Sequence, residues 1–470
     1  MDYIYDIETF PNVFIFGAKI VDGGFPVQYE ISDRINESAE IVAFCDYLAA
    51  TKARGVGFNN IGFDYPILHL LLKMRRADAA TLYRKAQAII ESQDENRWLH
   101  RVKPSDYPFA QCDLFAIHHF GNPARSTSLK VLQFNMRQES IQDLPFPVGS
   151  ILTPEQIVVL RQYNLHDLAT TEAFFNESLE QIRFREQLSA KYQRDFTNHD
   201  DVKLGKDFFV MELERAGIPT YDYTPDKGRT PRQTKRPTIA LKDAILPSIQ
   251  FQTPDLQRVL EWLKQQTITE TRGVFKKLTA KISDFELTFG LGGIHGSLEN
   301  ARVESDAEHI IVDFDVSSMY SNIAIANGYY PAHLGPKFCE VYRALYEQRK
   351  QYAKGTPENA AIKLGLNGVY GASNDQFSVF YDSLFTMKVT LTGQLQLSML
   401  AEWFTLGVQG LQLVQMNTDS ITVRIPRTQE QRLDDIVKHW EQYTGLAMEK
   451  VKMKRMFISD CNNYLAEYEE

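Results

Sequence analysis

Apolar and polar side chains alternate at the start of the chain, with Ile4, Asp6 and Glu8 on one side of the alternation and Tyr5, Ile7 and Thr9 on the other. A period of two predicts a β-strand. Val56-Gly57-Phe58 then leads into Asn59-Asn60-Ile61-Gly62-Phe63-Asp64, a strand running into a loop, and an apolar helix is expected from Ile67 to Met74. Thr153-Pro154-Glu155-Gln156 combines a capping box with proline at the first helical position. It predicts a helix through Tyr163 and Asp167, with helical segments continuing to about Tyr192. This mixture predicts an α/β domain ending near residue 195.

The second half has a different rhythm. The segment from Asp226 to Pro237 is polar, basic and interrupted by proline, and reads as a loop, either a solvated linker or one that contacts nucleic acid. A helix over 254–266 is followed by Gly290-Leu291-Gly292-Gly293-Ile294-His295-Gly296, whose glycines permit a close backbone approach or a turn. Ile310-Ile311-Val312 predicts a strand ending at Asp315, with a helix start behind it. Helices over 337–354 and 357–372 flank Gly355-Thr356-Pro357 as an antiparallel hairpin. A long helix over 384–406 precedes a strand pair around Thr418-Asp419.

Composition narrows the class. With 470 residues, 44% hydrophobic and 24% charged, the chain is expected to be a globular protein of two or three domains. No apolar run is long enough to span a bilayer, and Met1 to Asp6 lacks the basic start of a signal peptide. The net charge of -9 disfavours a nucleic-acid partner only weakly, because a channel needs local positive charge while metal sites concentrate acids. Cys45, Cys112, Cys339 and Cys461 are scattered and read as reduced thiols of a cytosolic protein.

Two sets of carboxylates carry candidate chemistry. Strand geometry separates Asp6 and Glu8 by about 6–7 Å on one face, where they repel each other unless a cation sits between them. Tyr163 and Asp167 lie one helical turn apart, about 6 Å of rise, so a phenol stands beside a carboxylate and can orient an attacking water. Further on, Asp315 and Asp419 are isolated acids on apolar segments, and Lys363, Asn367 and Tyr370 share one helix face between them. Such an arrangement suits two divalent ions and a nucleoside triphosphate.

Taken together the motifs resemble those of B-family DNA polymerases, in that family's order and over nearly the whole chain. Asp-x-Glu in the first strand, Asn60-x-x-Phe63-Asp64 and Tyr163-x-x-x-Asp167 resemble its three exonuclease motifs. Asp315-Val316-Ser317-Ser318-Met319-Tyr320, the Lys363 to Gly371 segment and Asn417-Thr418-Asp419-Ser420 resemble its polymerase motifs. The resemblance implies an RNase H-like 3'–5' exonuclease domain followed by a right-hand polymerase palm with short fingers, an α/β and α+β multidomain chain. The implied boundaries are 1–195 for the exonuclease, 196–285 for the connecting region and start of the palm, 286–336 and 373–470 for the palm, and 337–372 for the fingers. By the same resemblance Asp6, Glu8, Asp64 and Asp167 hold two Mg²⁺ ions, with Mn²⁺ as the alternative, and Tyr163 positions the water. Asn60, Ser128 and Leu129 contact a single-stranded primer end. Asp315, the Val316 carbonyl and Asp419 hold a second metal pair. Tyr320 lies beneath the incoming sugar and selects deoxynucleotides sterically. Arg349 and Lys363 contact the triphosphate, Asn367 and Tyr370 shape the base-pair pocket, and Gly292, Gly293 and Tyr464 touch primer-template DNA.

Some positions depart from the family pattern. Ser321 replaces a proline and Gly368 a serine, read as local packing changes. Asn417 stands where an aspartate is usual, which predicts lowered activity and a gain from Asn417→Asp. Only 48 positions separate Asp315 from Lys363, so the fingers are expected to be one helical hairpin without the insertions of protein-primed relatives. The last motif, Asp460 to Glu470, has Asn463 in place of a basic residue before Tyr464, and no thumb follows it. A separate thumb-bearing polypeptide, a processivity factor or truncation are the expectations there. The leading reading is a viral, phage-like replicative polymerase with proofreading, acting on primer-template DNA and dNTPs in host cytoplasm. The alternatives are a structural or regulatory subunit with a decayed polymerase site but an active exonuclease, and a free-standing nuclease.

Overall fold

A computed structural model of the chain describes residues 1–96, 98–122, 125–226 and 228–469. Lys227 of the basic segment and Glu470 of the last motif lie outside the described residues. The protein is a mixed α/β chain of two compact units, Met1–Lys203 and Leu204–Glu470.

The first unit is organised on a five-stranded sheet among the described residues: β1 (Asp2–Phe10), β2 (Val13–Ile20), β3 (Val27–Ser32), β4 (Arg54–Gly57) and β5 (Ala110–Asp113), in the order β3-β2-β1-β4-β5. β1, β2 and β3 are antiparallel, whereas β4 runs parallel to β1 and β5 parallel to β4. A parallel neighbour requires a crossover, and the helix Ser38–Ala50 lies within the one between β3 and β4. The alternation along β1 appears as expected. Tyr5 and Ile7 join one apolar core with Phe14, Ile41 and Leu68, while Ile4 joins another with Val56, Leu168 and Phe174. The second core belongs to the helix Pro154–Glu177, whose capping box is complete. Thr153 Oγ1 accepts from the Gln156 N–H at 3.3 Å, and Gln156 Oε1 accepts from the Thr153 N–H at 2.9 Å. Helix Asp64–Met74 begins at Asp64, earlier than the apolar run alone suggests.

In the second unit the basic segment is only partly a loop. Gly228–Pro231 forms β7, paired with β6 (Tyr221–Thr224). Both strands are largely exposed, so no hydrophobic alternation marks them; the Arg229 guanidinium lies 3.6 Å from the Tyr221 ring centre across the pair. A short pair, β8 (Ile239–Ala240) and β9 (Thr267–Ile268), precedes the main sheet. That sheet contains β10 (Thr279–Ile282), β11 (Phe285–Gly290), β12 (Gly293–Ser297), β13 (Ala301–Glu304), β14 (His309–Val316), β15 (Gln412–Thr418), β16 (Ser420–Pro426), β17 (Met448–Ile458) and β18 (Tyr464–Tyr468). Its order is β10-β11-β12-β15-β16-β14-β17-β13, with β18 also on β17.

Helix Ser383–Gly407 is buried along most of its length and packs on β12, β15 and β16. Its N-cap, Asp382, is 1% exposed and takes a bidentate pair from Arg236 at 2.8 and 3.1 Å, besides the N–H groups of Leu384 and Ala332. Burial pushes this carboxyl up, but Arg236 and the backbone donors outweigh it and hold it below the usual range. The expected helical hairpin is formed by Lys337–Lys350 and Pro357–Ala372, capped by Thr356 and pinned where the Tyr342 hydroxyl donates to the Leu366 carbonyl at 2.6 Å. No helix among the described residues is long and apolar enough to cross a membrane.

Candidate active sites

In the first unit, β1 and the helix Pro154–Glu177 bring Asp6, Glu8 and Asp167 together, with one oxygen from each within 4.8 Å of the others. Glu8 and Asp167 are buried, and Asp64, at the start of its helix, accepts from the Ile7 N–H at 3.3 Å. Burial, and then the mutual repulsion of these acids, raises the carboxyls of Asp6 and Glu8 well above the ordinary range. Asp64 and Asp167 are both pushed up to about 7, again chiefly by burial; backbone N–H groups oppose the rise at Asp64 and the Tyr163 hydroxyl opposes it at Asp167. A cluster of hard oxygen donors that are costly to ionise together fits a divalent cation such as Mg²⁺ or Mn²⁺.

Two side chains that support this cluster have no apolar periodicity to announce them. Asn164, fully buried, donates to Asp6 Oδ2 at 2.8 Å and accepts from Gln28 Nε2 at 2.9 Å. Asp113 accepts from the N–H groups of Asn59 at 2.9 Å and Ile61 at 3.1 Å, and also caps the helix Leu114–Ile117. It therefore fixes the loop that delivers Asp64. Asn60 is fully buried, its amide donating to Tyr5 Oη and Gln111 Oε1, each at 3.1 Å. Ser128 caps the helix Leu129–Asn135 by accepting from the Val131 N–H at 3.3 Å, and Leu129 packs partly on the adjoining core. Ser128 thus has a local capping role, whereas the Asn60 amide N–H group bonds across the core to distant residues and its Oδ1 is buried without a hydrogen-bond partner among the described residues.

The elevated carboxyls imply a pH effect. An acid whose folded pKa lies above its unfolded value, about 4, contributes stability that is complete below that value and lost as pH rises through about 7. In chelator the protein should therefore melt lower at pH 8 than at pH 5.5. Millimolar Mg²⁺ or Mn²⁺ should raise melting more at pH 8, where cations no longer compete with protons. Differential scanning fluorimetry reads this; an equal or larger metal effect at pH 5.5 contradicts it.

In the second unit, Asp315 is the penultimate residue of β14, beside Ser420 of β16, and Asp419 sits in the turn between β15 and β16. The Val316 N–H donates to the Asp419 carbonyl at 2.9 Å, joining the two segments. Both acids line a cavity of about 720 Å³ with Tyr320, Arg349, Lys363, Asn367 and Tyr370. Burial first, then Asp419, Asp313 and Glu449, pushes Asp315 up to about 7, and burial raises Asp419. Glu449 is directly across from Asp315 on β17 and lines the same cavity; sequence spacing offers no signal for it. This acid set also fits a divalent cation, which would relieve the repulsion.

The cavity walls are held by specific bonds. Arg349 donates to Ser318 Oγ at 3.1 Å, and Asn359 returns its amide to the Arg349 carbonyl at 3.2 Å. Ser321 is buried and donates to the Ser318 carbonyl at 2.9 Å, closing a helix start whose Ser318 is left-handed at φ 47°. The Tyr320 and Tyr370 rings stack with centres 3.9 Å apart. Tyr320 donates to the Gly292 carbonyl and Tyr370 to the Leu291 carbonyl at 3.0 Å, while Gln394 holds the Gly290 carbonyl. The glycine turn is thus bonded to the tyrosine pair. Tyr464 begins β18, opposite Ile458, and is partly exposed.

Asn417 is committed elsewhere: its amide donates to the Cys461 carbonyl at 3.2 Å, an oxygen that Gln415 also holds at 2.9 Å. This changes the outcome expected of Asn417→Asp. A carboxylate would face that carbonyl and lose a hydrogen bond, costing about 1–2 kcal/mol. A melting loss of a few degrees is expected, with primer-extension turnover within about twofold of wild type. A clear rise in turnover at unchanged melting temperature would instead bear out the gain expected from the sequence.

No protein-family model matches the chain, and no curated protein matches it. Among solved structures the chain is similar to the family B DNA polymerase from the hyperthermophilic archaeon Pyrobaculum calidifontis, with a TM-score of 0.49 and 15% identity. The similarity covers 99% of this chain and 58% of that one, so the chain spans less than two thirds of its length.

Proposed function

We propose that the chain is a DNA-directed DNA polymerase with a 3'–5' exonuclease site in its first unit. The observation that carries this reading is the single cavity where Asp315 and Asp419 meet Arg349, Lys363 and the stacked Tyr320–Tyr370 pair. Two divalent cations on Asp315, the Val316 carbonyl and Asp419 would neutralise charge on phosphate oxygens and orient them. Arg349 and Lys363 bind the triphosphate from the fingers hairpin. Asn367 faces the nascent base pair, and the flat face of Tyr320 meets the sugar, where a 2'-hydroxyl is rejected by contact. In the first unit, Asp6, Glu8, Asp64 and Asp167 would hold the divalent cations of the nuclease. The Tyr163 hydroxyl, one helical turn from Asp167 on the same helix, would position the water that attacks the terminal phosphodiester.

The test is a labelled primer-template incubated with Mg²⁺, with and without dNTPs. Extension with dNTPs and stepwise 3' degradation without them are expected. Degradation with no extension would instead favour the reading in which Asn417 marks a decayed polymerase site.

A further inference from the structure

We propose that the first unit carries a second ligand site, a cationic cavity that binds the phosphates of a nucleotide, either free or at the end of a single strand. The cavity, about 790 Å³, is formed by the 101–111 segment, the start of β4 and the 195–203 segment. Its size is that of a small-molecule site. Lys52, Arg54, Arg101, Lys103 and Lys203 line it, against Asp195 as the one acid among the described lining residues.

The charges lining the cavity differ in how they are paired. Arg54 is neutralised by Asp2 and Glu186, each at 2.7 Å. Lys52, Lys103 and Lys203 are exposed and form no ion pair among the described residues, so all three are open to an anionic ligand. In a chain with an acidic excess, unpaired lysines gathered on one concavity leave a local positive potential that a polyanion relieves. The walls are preformed. Asn198 bonds across the edge of β5, donating to the Gln111 carbonyl at 2.8 Å and accepting from the Asp113 N–H at 2.7 Å. Tyr107 and Phe109 supply an aromatic side, fixed by ring contacts to Tyr65 at 4.8 and 6.0 Å between centres. Phosphate-binding cations beside a rigid aromatic wall match the chemistry of a nucleotide.

The site is tested on the full chain in chelator, so that neither active site turns over. Lysine acetylation is followed by mass spectrometry with dATP or a 5'-phosphorylated hexathymidylate as probe. Acetylation of Lys52, Lys103 and Lys203 should slow by about threefold or more, and the protection should fade as salt rises. Lys264, in the other unit, should be unaffected. Protection by dATP assigns a free nucleotide, and protection by the hexanucleotide alone assigns a strand end. Protection by neither overturns the proposal. Lys52→Gln with Lys103→Gln should weaken the protection of Lys203 about tenfold in probe concentration at an unchanged melting temperature; undiminished protection of Lys203 also overturns it. Because both active sites are silent in this assay, the outcome is independent of whether either is functional.

Discussion

Asp419→Ala is expected to lower primer extension by about 10³-fold and to leave 3' degradation at the wild-type rate. Asp419 occupies the turn joining β15 and β16, and its carbonyl is tied to the Val316 N–H at 2.9 Å. Removing its carboxylate takes away one of the acids that share the cavity with Asp315. Loss of several kcal/mol of phosphate-charge stabilisation, about 4 kcal/mol, corresponds to about three decades in rate. Asp6→Ala should do the converse, suppressing degradation while extension persists, because Asp6 belongs to the cluster with Glu8 and Asp167 in the other compact unit. Gel-resolved product ladders for wild type and both variants decide the matter. If either substitution abolished both activities at an unchanged melting temperature, the assignment of one reaction to each unit would fall.

Much of the scaffold is legible because its signals are local. The capping box at Thr153, the Gly355-Thr356-Pro357 break and the alternation of β1 each specify an element through neighbours within a few residues. The carboxylates stand out for the same reason: an acid on an apolar strand breaks a pattern. Long-range bonding leaves no such trace. Asn60 is spent on Tyr5 and Gln111, roughly fifty residues away in each direction, and Asp113 reaches the N–H of Asn59 from another strand. Glu449 becomes part of the Asp315 cavity only through the pairing of β14 with β17. Inside the helix Ser383–Gly407, Gln394, Gln396 and Glu402 are buried among apolar neighbours. Glu402 accepts from the N–H groups of Gln252 and Thr253 at 2.9 and 2.6 Å, a role that periodicity cannot encode. The β6–β7 hairpin escapes notice for the opposite reason, since both of its strands are largely exposed.

The glycine turn offers the sharpest separation between touching DNA and positioning catalytic groups. Gly293 adopts φ 152°, and a Cβ there would lie 2.9 Å from the Thr418 Cα. Thr418 is itself left-handed at φ 63°, and the next N–H, that of Asp419, bonds back to the Asn417 carbonyl at 2.7 Å. Gly293→Ala must therefore push the backbone that holds Asp419, and a displacement of about 1 Å costs about 10²-fold in rate. Gly292 has open space around its Cβ position, so Gly292→Ala leaves the fold undisturbed. If the turn acts by supporting Asp419, Gly293→Ala lowers kcat for extension about 10²-fold with little change in the Kd for primer-template, and Gly292→Ala is nearly silent. If the turn acts by admitting the DNA backbone, Gly292→Ala alone raises that Kd while kcat holds. Single-turnover extension and anisotropy titrations on the two variants distinguish these outcomes, and the packing of Gly293 on Thr418 favours the first.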